Sequence, residues 1–116
     1  MKPLRRALRD KRIFLMNDYY ASPLWESRLT AIGPNQLPLS DGLTDDLNAW
    51  AKAYDESSER EGWPENGWSE EEAAAHDAAG RELWVRVADE LPEWEVGYFD
   101  NRSKDVIWDV PRRQPS

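Results

Sequence analysis

The sequence predicts an α+β domain, a small two-layer arrangement in which two helices cover a three- or four-stranded, mainly antiparallel sheet. Three observations lead to this fold class. Two stretches in the middle of the chain repeat apolar residues at helical period, and apolar runs typical of strands flank them on both sides. The length of 116 residues suits one domain around a single core. The predicted order is therefore strand, helix, helix, strand, strand.

The first strand is predicted in "RIFLMNDYY", residues 12–20, because this run is apolar and aromatic and has a suitable length. Residues 1–11 precede it as a basic, flexible arm with few apolar groups to bury. Residues 21–39 contain three prolines and a glycine, so they are expected to form mostly a connection. A short extended segment around Leu24 and Trp25 is compatible with the positions of these prolines and the glycine.

A first helix is predicted from about Asp41 to Ser57. Ser40 can cap its first turn, and the aspartates that follow favour the positive end of the helix dipole. One apolar stripe recurs at spacings of four, three and four residues. It consists of Leu43, Leu47, Trp50 and Tyr54.

A second helix is predicted to start at Ser69, which forms a capping box with Glu72. Pro92 ends it. Gly80 lies on the inward stripe of this helix, where glycine lowers helix stability by about 1 kcal/mol relative to alanine. Its presence suggests that a neighbour packs too closely for a side chain, and we expect that neighbour to be the other helix or Trp50. The stripe consists of Ala73, His76, Gly80, Leu83, Trp84, Val87 and Leu91.

The last part of the chain is predicted to form a hairpin from residues 94–100 and 105–110, joined by a polar turn. One face of each strand is expected to meet the helices. These faces carry Trp94, Val96 and Tyr98 in the first strand, and Val106, Trp108 and Val110 in the second. The single domain is thus expected to span residues 12–111, followed by a tail at 112–116.

Several functional classes find no support in the sequence. The chain has no cysteine, which excludes disulfides and thiolate chemistry and suits a reducing cytoplasm. No run approaches the roughly 20 apolar residues that a membrane helix needs. His76 is the only histidine, and its inward position predicts a hydrogen-bonded structural imidazole. Catalytic and phosphate-binding motifs are absent, and adjacent carboxylates on a helix point too far apart to share a metal ion. We therefore expect no catalysis, no metal and no cofactor.

Charge is unevenly distributed along the chain. The formal net charge is −8, yet residues 1–13 carry +5 and residues 102–116 carry +2, so residues 14–101 carry −15. An acidic body of this kind repels nucleic acid and anionic lipid and attracts basic protein surfaces. Acidity that serves solubility alone is the competing interpretation.

Two tryptophans stand among carboxylates in "REGWPENGWSEEE", residues 60–72. An exposed tryptophan can anchor a protein interface while carboxylates orient the partner, whereas an indole folded back would cap the helix pair. We favour the first alternative for at least one of the two. The predicted partner-binding residues are Glu61, Trp63, Glu65, Trp68, Glu70, Glu71 and Glu72.

Three segments carry a resemblance to a known group of proteins. They read "NDYYASPLW" (17–25), "LPLSDGLTDDLNAWAKAYD" (37–55) and "GRELWVRVADELPEWEVGYFD" (80–100). This pattern resembles small, acidic, tryptophan-rich uncharacterised bacterial proteins, which are similar in size and charge to immunity proteins. The resemblance implies a non-catalytic protein that neutralises a toxin by binding its basic surface, and it assigns no catalytic residues.

Three functions remain open at this stage. The first is an immunity or antitoxin-like inhibitor of a basic partner protein, such as a toxin domain. The second is a nucleic-acid mimic that blocks a DNA-binding protein, which requires carboxylates in a regular, extended array. The third is a structural or regulatory domain that associates with itself. The sequence does not distinguish a monomer from a homodimer.

Overall fold

The computed structural model describes residues 9–18, 21–57 and 69–111 of the chain. It confirms the α+β class, with two helices on a mixed sheet. The described part contains five strands, so the expected count of three or four is too low. In chain order the elements are β1 (Arg12–Leu15), β2 (Leu24–Ser27), β3 (Thr30–Ile32), a short 3₁₀ turn (Pro34–Gln36), α1 (Asp41–Ser57), α2 (Glu70–Glu90), β4 (Glu95–Asp100) and β5 (Asp105–Ile107).

The five strands form one sheet in the order β3-β2-β1-β4-β5. Its central pair, β1 and β4, is parallel, with Ile13 opposite Val96. The other three pairs are antiparallel, as expected for a mainly antiparallel sheet. The parallel pair arises because α1 and α2 carry the chain over the sheet before β4, and a parallel pair needs such a crossover.

The segment between β1 and the helices is more regular than the sequence suggests. It contains the hairpin of β2 and β3, which was expected to be mostly connection. Pro23 and Pro34 lie just outside the two strands rather than inside them, and proline is tolerated at such positions. The first strand is shorter than predicted, since it ends at Leu15, and Tyr19 and Tyr20 lie outside the described residues.

Both helices have the predicted positions. The first spans Asp41–Ser57, as the apolar stripe indicates. The second begins at Glu70, directly after its N-cap residue Ser69, and ends before Pro92. The core lies between this helix pair and the sheet. Its fully buried residues include Ile13, Leu15, Leu24, Ile32, Leu43, Leu47, Trp84 and Val87.

The prediction for the faces of the final hairpin is half right. Val96 and Tyr98 in β4 are buried towards the helices, as expected. In β5, however, Ile107 lies opposite Tyr98, so Ile107 shares the helix-facing side. Val106 therefore points to the other face of the sheet and does not meet the helices.

Trp108 also lies on the sheet face that points away from the helices, contrary to expectation. Its indole packs edge-on against the Phe14 ring, with the ring centroids 6.1 Å apart. The Arg12 guanidinium carbon lies 4.0 Å from the centroid of the Trp108 ring. Val110 packs against the core as predicted. Alternate residues of a strand point to opposite faces of the sheet, and the pairing register with the neighbouring strand decides which set faces the helices. The sequence of β5 alone does not reveal this register, so the wrong set was chosen.

Candidate functional site

The structure describes only part of the predicted partner-binding set. Glu61, Trp63, Glu65 and Trp68 lie outside the described residues. Glu70, Glu71 and Glu72 form the first turn of α2, and all three are exposed.

The three glutamates of this turn have different roles. The Glu72 carboxylate accepts a hydrogen bond from the Ser69 amide (2.9 Å), and the Glu72 amide donates to the Ser69 hydroxyl (3.1 Å). Glu72 therefore stabilises the start of the helix. Within the described ranges, Glu70 and Glu71 form no ion pair, and the helix dipole favours their negative charge. These two carboxylates are available to a partner.

A surface groove extends from these glutamates along the first half of α2, between the helix and the end of β4. We call it the α2 groove. Its acidic end is lined by Glu70, Glu71, Ala73, Ala74, Asp77, Asp100, Asn101 and Arg102. Its aromatic end is lined by Asn17, Trp50, Tyr54, His76, Tyr98 and Phe99, together with Ala73, Asp77 and Asn101, which both ends share.

A hydrogen-bonded network fixes the carboxylates between the two ends. Arg81 donates from Nε to Asp77 (2.9 Å) and from Nη2 to Asp100 (3.0 Å). The Tyr98 hydroxyl donates to the second Asp77 oxygen at 2.7 Å. Burial raises the pKa of Tyr98, and this hydrogen bond raises it further, so the hydroxyl remains a donor at physiological pH.

Asp100 remains ionised in the same network. Burial raises its pKa, but hydrogen bonds from Ser103 and Arg102 and the charge of Arg81 outweigh that effect and hold the pKa below its ordinary value. The Asp77 and Asp100 carboxylates are thus held in place by α2, β4 and the turn that follows β4.

His76 forms part of the aromatic end. Its ring stacks on the Trp50 indole with centroids 4.9 Å apart and planes 7° from parallel, and its Nε2 is hydrogen-bonded to the Asn17 side-chain oxygen (2.7 Å). Burial lowers the pKa of His76 to about 4 against the opposing effect of Asp77. The imidazole is therefore neutral at physiological pH and serves a structural role, as the sequence predicts.

The lining of the groove is acidic at one end and aromatic at the other. Among the described residues, no cluster of histidine, aspartate and glutamate could hold a metal ion. The arrangement combines fixed negative charge with flat aromatic surfaces, which are the elements that recognise a cationic group. None of the helices that the structure describes is long and apolar enough to span a membrane.

Sequence reasoning did not identify several residues of the groove. Asp77 and Arg81 are four residues apart on α2, a spacing that indicates a helical ion pair. Nothing in the local sequence links this pair to Tyr98 or Asp100, because the pairing of α2 with β4 is a tertiary contact. Asn17 lies 59 residues before its partner His76 and carries no local signal either.

Comparison with known protein families identifies a match over most of the chain. The family described as Serratia CdiI immunity protein-like matches residues 11–101. The chain belongs to this family. The matched range contains the whole sheet except β5, both helices, and all the groove residues except Arg102. None of the curated proteins matches this chain. The family agrees with the resemblance to immunity proteins drawn from the sequence.

Proposed function

We propose that this protein is an immunity protein that neutralises a toxin by binding to a basic surface of it, without catalysis of its own. Membership of the Serratia CdiI immunity protein-like family supports the toxin as partner. The net charge of −15 on residues 14–101 supports a basic surface on that toxin. The lack of cysteine suits a cytoplasmic site of action.

The proposed interface comprises the acidic end of the α2 groove and the segment that leads into it. The single observation that carries this assignment is the position of Glu70 and Glu71, which are exposed and unpaired in the described part of the chain and lie beside the fixed Asp77 and Asp100. Residues 58–68 directly precede Ser69 in the chain, and the proposed interface includes Glu61, Trp63, Glu65 and Trp68 of this segment.

Each part of this surface has a separate task. Carboxylates speed the encounter with a basic partner and orient it, an effect that salt weakens. Tryptophans supply the buried apolar area that slows dissociation. We infer that Trp63 or Trp68 provides this anchor while the glutamates provide the steering.

A growth-rescue assay tests the proposal. Candidate toxin domains, including any found encoded beside this gene, are expressed in a bacterial host, alone or together with this protein. Wild-type protein should restore growth, and the variant Glu70→Gln/Glu71→Gln should restore it less well. The matched control is Glu82→Gln/Asp89→Asn, which removes two exposed carboxylates further along the same helix. If both double variants protect equally, the interface lies elsewhere, and if wild-type protein gives no protection, the proposed function is wrong.

A second variant tests the aromatic anchors. Trp63→Ala/Trp68→Ala is compared with wild type in toxin binding by calorimetry and in thermal unfolding. Weaker binding with a melting temperature within a few degrees of wild type supports the anchor role. A large loss of stability would show instead that these tryptophans belong to the core.

A further inference from the structure

The α2 groove has the chemistry to bind one particular kind of side chain, and this inference rests on the proposed function. We propose that the groove receives an arginine of the toxin, whose guanidinium pairs with the acidic end while its flat face and aliphatic stem pack on the aromatic end. Four observations support this proposal. They are the negative charge of the groove, its aromatic rings, the way the protein binds its own Arg81 guanidinium, and the buried side-chain nitrogen of Asn17.

The charge of the groove remains negative after its own cations are included. Glu70, Glu71, Asp77 and Asp100 contribute four carboxylates to its lining. Arg81 pairs with the inner two of these, Asp77 and Asp100. Arg102 is the one basic residue in the lining of the acidic end. Glu70 and Glu71 are left without a described ion pair, so a cation from outside would complete the acidic end.

The aromatic end distinguishes a planar cation from a compact one. The rings of Tyr54, Phe99 and the stacked pair of Trp50 and His76 line the aromatic end together with the Asp77 carboxylate. A guanidinium can stack on such rings and donate two parallel hydrogen bonds to a carboxylate, whereas the lysine ammonium is a strongly hydrated point charge. The combination of rings and carboxylates therefore favours arginine over lysine.

The protein already binds a guanidinium in this way directly beside the groove, at Arg81, which contacts three residues of the groove lining. The Arg81 guanidinium lies 5.0 Å from the centre of the Tyr98 ring while it bridges Asp77 and Asp100. Stacking on a ring and pairing with two carboxylates thus occur together at the boundary of the two ends. A second arginine, supplied by the partner, would pair with Glu70 or Glu71 at the acidic end while its stem extends towards the aromatic end.

One residue of the aromatic end carries a polar atom that has no partner among the described residues. The side-chain nitrogen of Asn17 is buried without a described hydrogen-bond partner, although the oxygen of the same amide is bonded to His76. A buried donor without an acceptor is costly, and most such groups in folded proteins are satisfied. A carbonyl oxygen of the docked toxin segment would supply the acceptor after a small shift of the side chains that cover this nitrogen.

The test is a nuclear magnetic resonance titration of the full chain, labelled with ¹⁵N, with N-acetyl-arginine amide as the probe. We expect saturable shifts at the Trp50 indole N–H and at the backbone amides of Ala73, Asp77 and Asn101, with millimolar affinity. N-acetyl-citrulline amide has the same shape without the charge and should cause no saturable shift. N-acetyl-lysine amide should bind at least threefold more weakly than the arginine probe.

Two variants locate the site of the probe. Glu70→Gln/Glu71→Gln should weaken arginine-amide binding at least fivefold, and Glu82→Gln/Asp89→Asn should leave it unchanged. Equal shifts with the citrulline or lysine probe, shifts outside the groove, or no shifts at all would overturn the inference. The rescue assay separates this failure from that of the proposed function, because protection that depends on Glu70 and Glu71 without arginine-amide binding would refute only the arginine site.

Discussion

Replacing Gly80 with alanine tests how closely α2 packs on α1 and the sheet. A Cβ built at Gly80 would lie 2.4 Å from the Trp50 Cζ2 atom, 2.7 Å from the Tyr98 hydroxyl oxygen and 2.9 Å from Trp50 Cε2. Two of these three contacts are to a buried indole ring that has no flexible end to move aside. The indole is also held by a 3.0 Å hydrogen bond from its nitrogen to the His76 carbonyl oxygen.

Two opposing effects determine the stability of Gly80→Ala. Alanine favours a helix interior over glycine by about 1 kcal/mol. Overpacking of a well-filled core costs about 1 to 3 kcal/mol, and loss of the Trp50 indole hydrogen bond on displacement of the ring costs about 1 kcal/mol more. We therefore expect a net loss of about 1 to 3 kcal/mol in the free energy of unfolding. For a domain of this size that corresponds to a melting temperature lower by about 4 to 12 °C.

Gly42→Ala is the matched control for this measurement. Gly42 lies in the first turn of α1, and a Cβ there would meet nothing within 4 Å. Helix propensity alone then applies, so Gly42→Ala should raise the melting temperature by about 2 to 4 °C. Both variants are compared with wild type by circular dichroism during heating. A Gly80→Ala variant that is as stable as Gly42→Ala would refute the described packing of Trp50 against α2.

Three further predictions concern the core, a helix cap and pH. The Trp84 side chain is 1% exposed, and its indole N–H donates to the Val96 carbonyl oxygen (2.7 Å). Trp84→Ala should therefore lower the free energy of unfolding, measured in urea, by about 3 to 5 kcal/mol. Trp84→Phe keeps an aromatic ring and should lower it clearly less. The Glu90 carboxylate accepts hydrogen bonds from the Ser40 amide (2.6 Å) and hydroxyl (2.7 Å). Ser40→Ala and Glu90→Ala should each lower the free energy of unfolding in urea by about 1 kcal/mol. The double variant should lose less than the sum of the two, because both single variants break the same interaction. The lowered pKa of His76 means that stability present above pH 6.5 falls as the pH drops to about 4, because the unfolded chain binds a proton that the folded ring excludes. This loss is at most about 3 kcal/mol, reduced by the partial exposure of the ring, and urea titrations at several pH values should show it in wild type and not in His76→Gln.

Local elements of the fold could be predicted where one short stretch contains all the information. The helix from Asp41 to Ser57 follows from one apolar stripe and its cap, and the start of α2 follows from the Ser69 and Glu72 pair. The contact of Gly80 with Trp50 was also predictable, because an unfavourable glycine on an inward helical face indicates a close neighbour.

Features that depend on pairing between distant segments could not be predicted in the same way. The extended piece predicted around Leu24 and Trp25 is β2, but β3 and its pairing with β2 were missed, because prolines beside a strand look much like prolines inside one. Trp108 was assigned to the wrong face because a shift of one residue in pairing reverses every side chain of a strand.

The sequence by itself determined the α+β class, both helices, the acidic body and the expectation of a binding function. These follow from composition and from periodicities within one segment. Only the tertiary structure decided that Asp77, Tyr98, Arg81 and Asp100 form one network beside Glu70 and Glu71. The physical reason is that the α2 groove is built where α2 crosses the end of β4. Its charges and rings come from segments that meet only after the parallel pairing of β1 with β4 has placed the helix against the sheet.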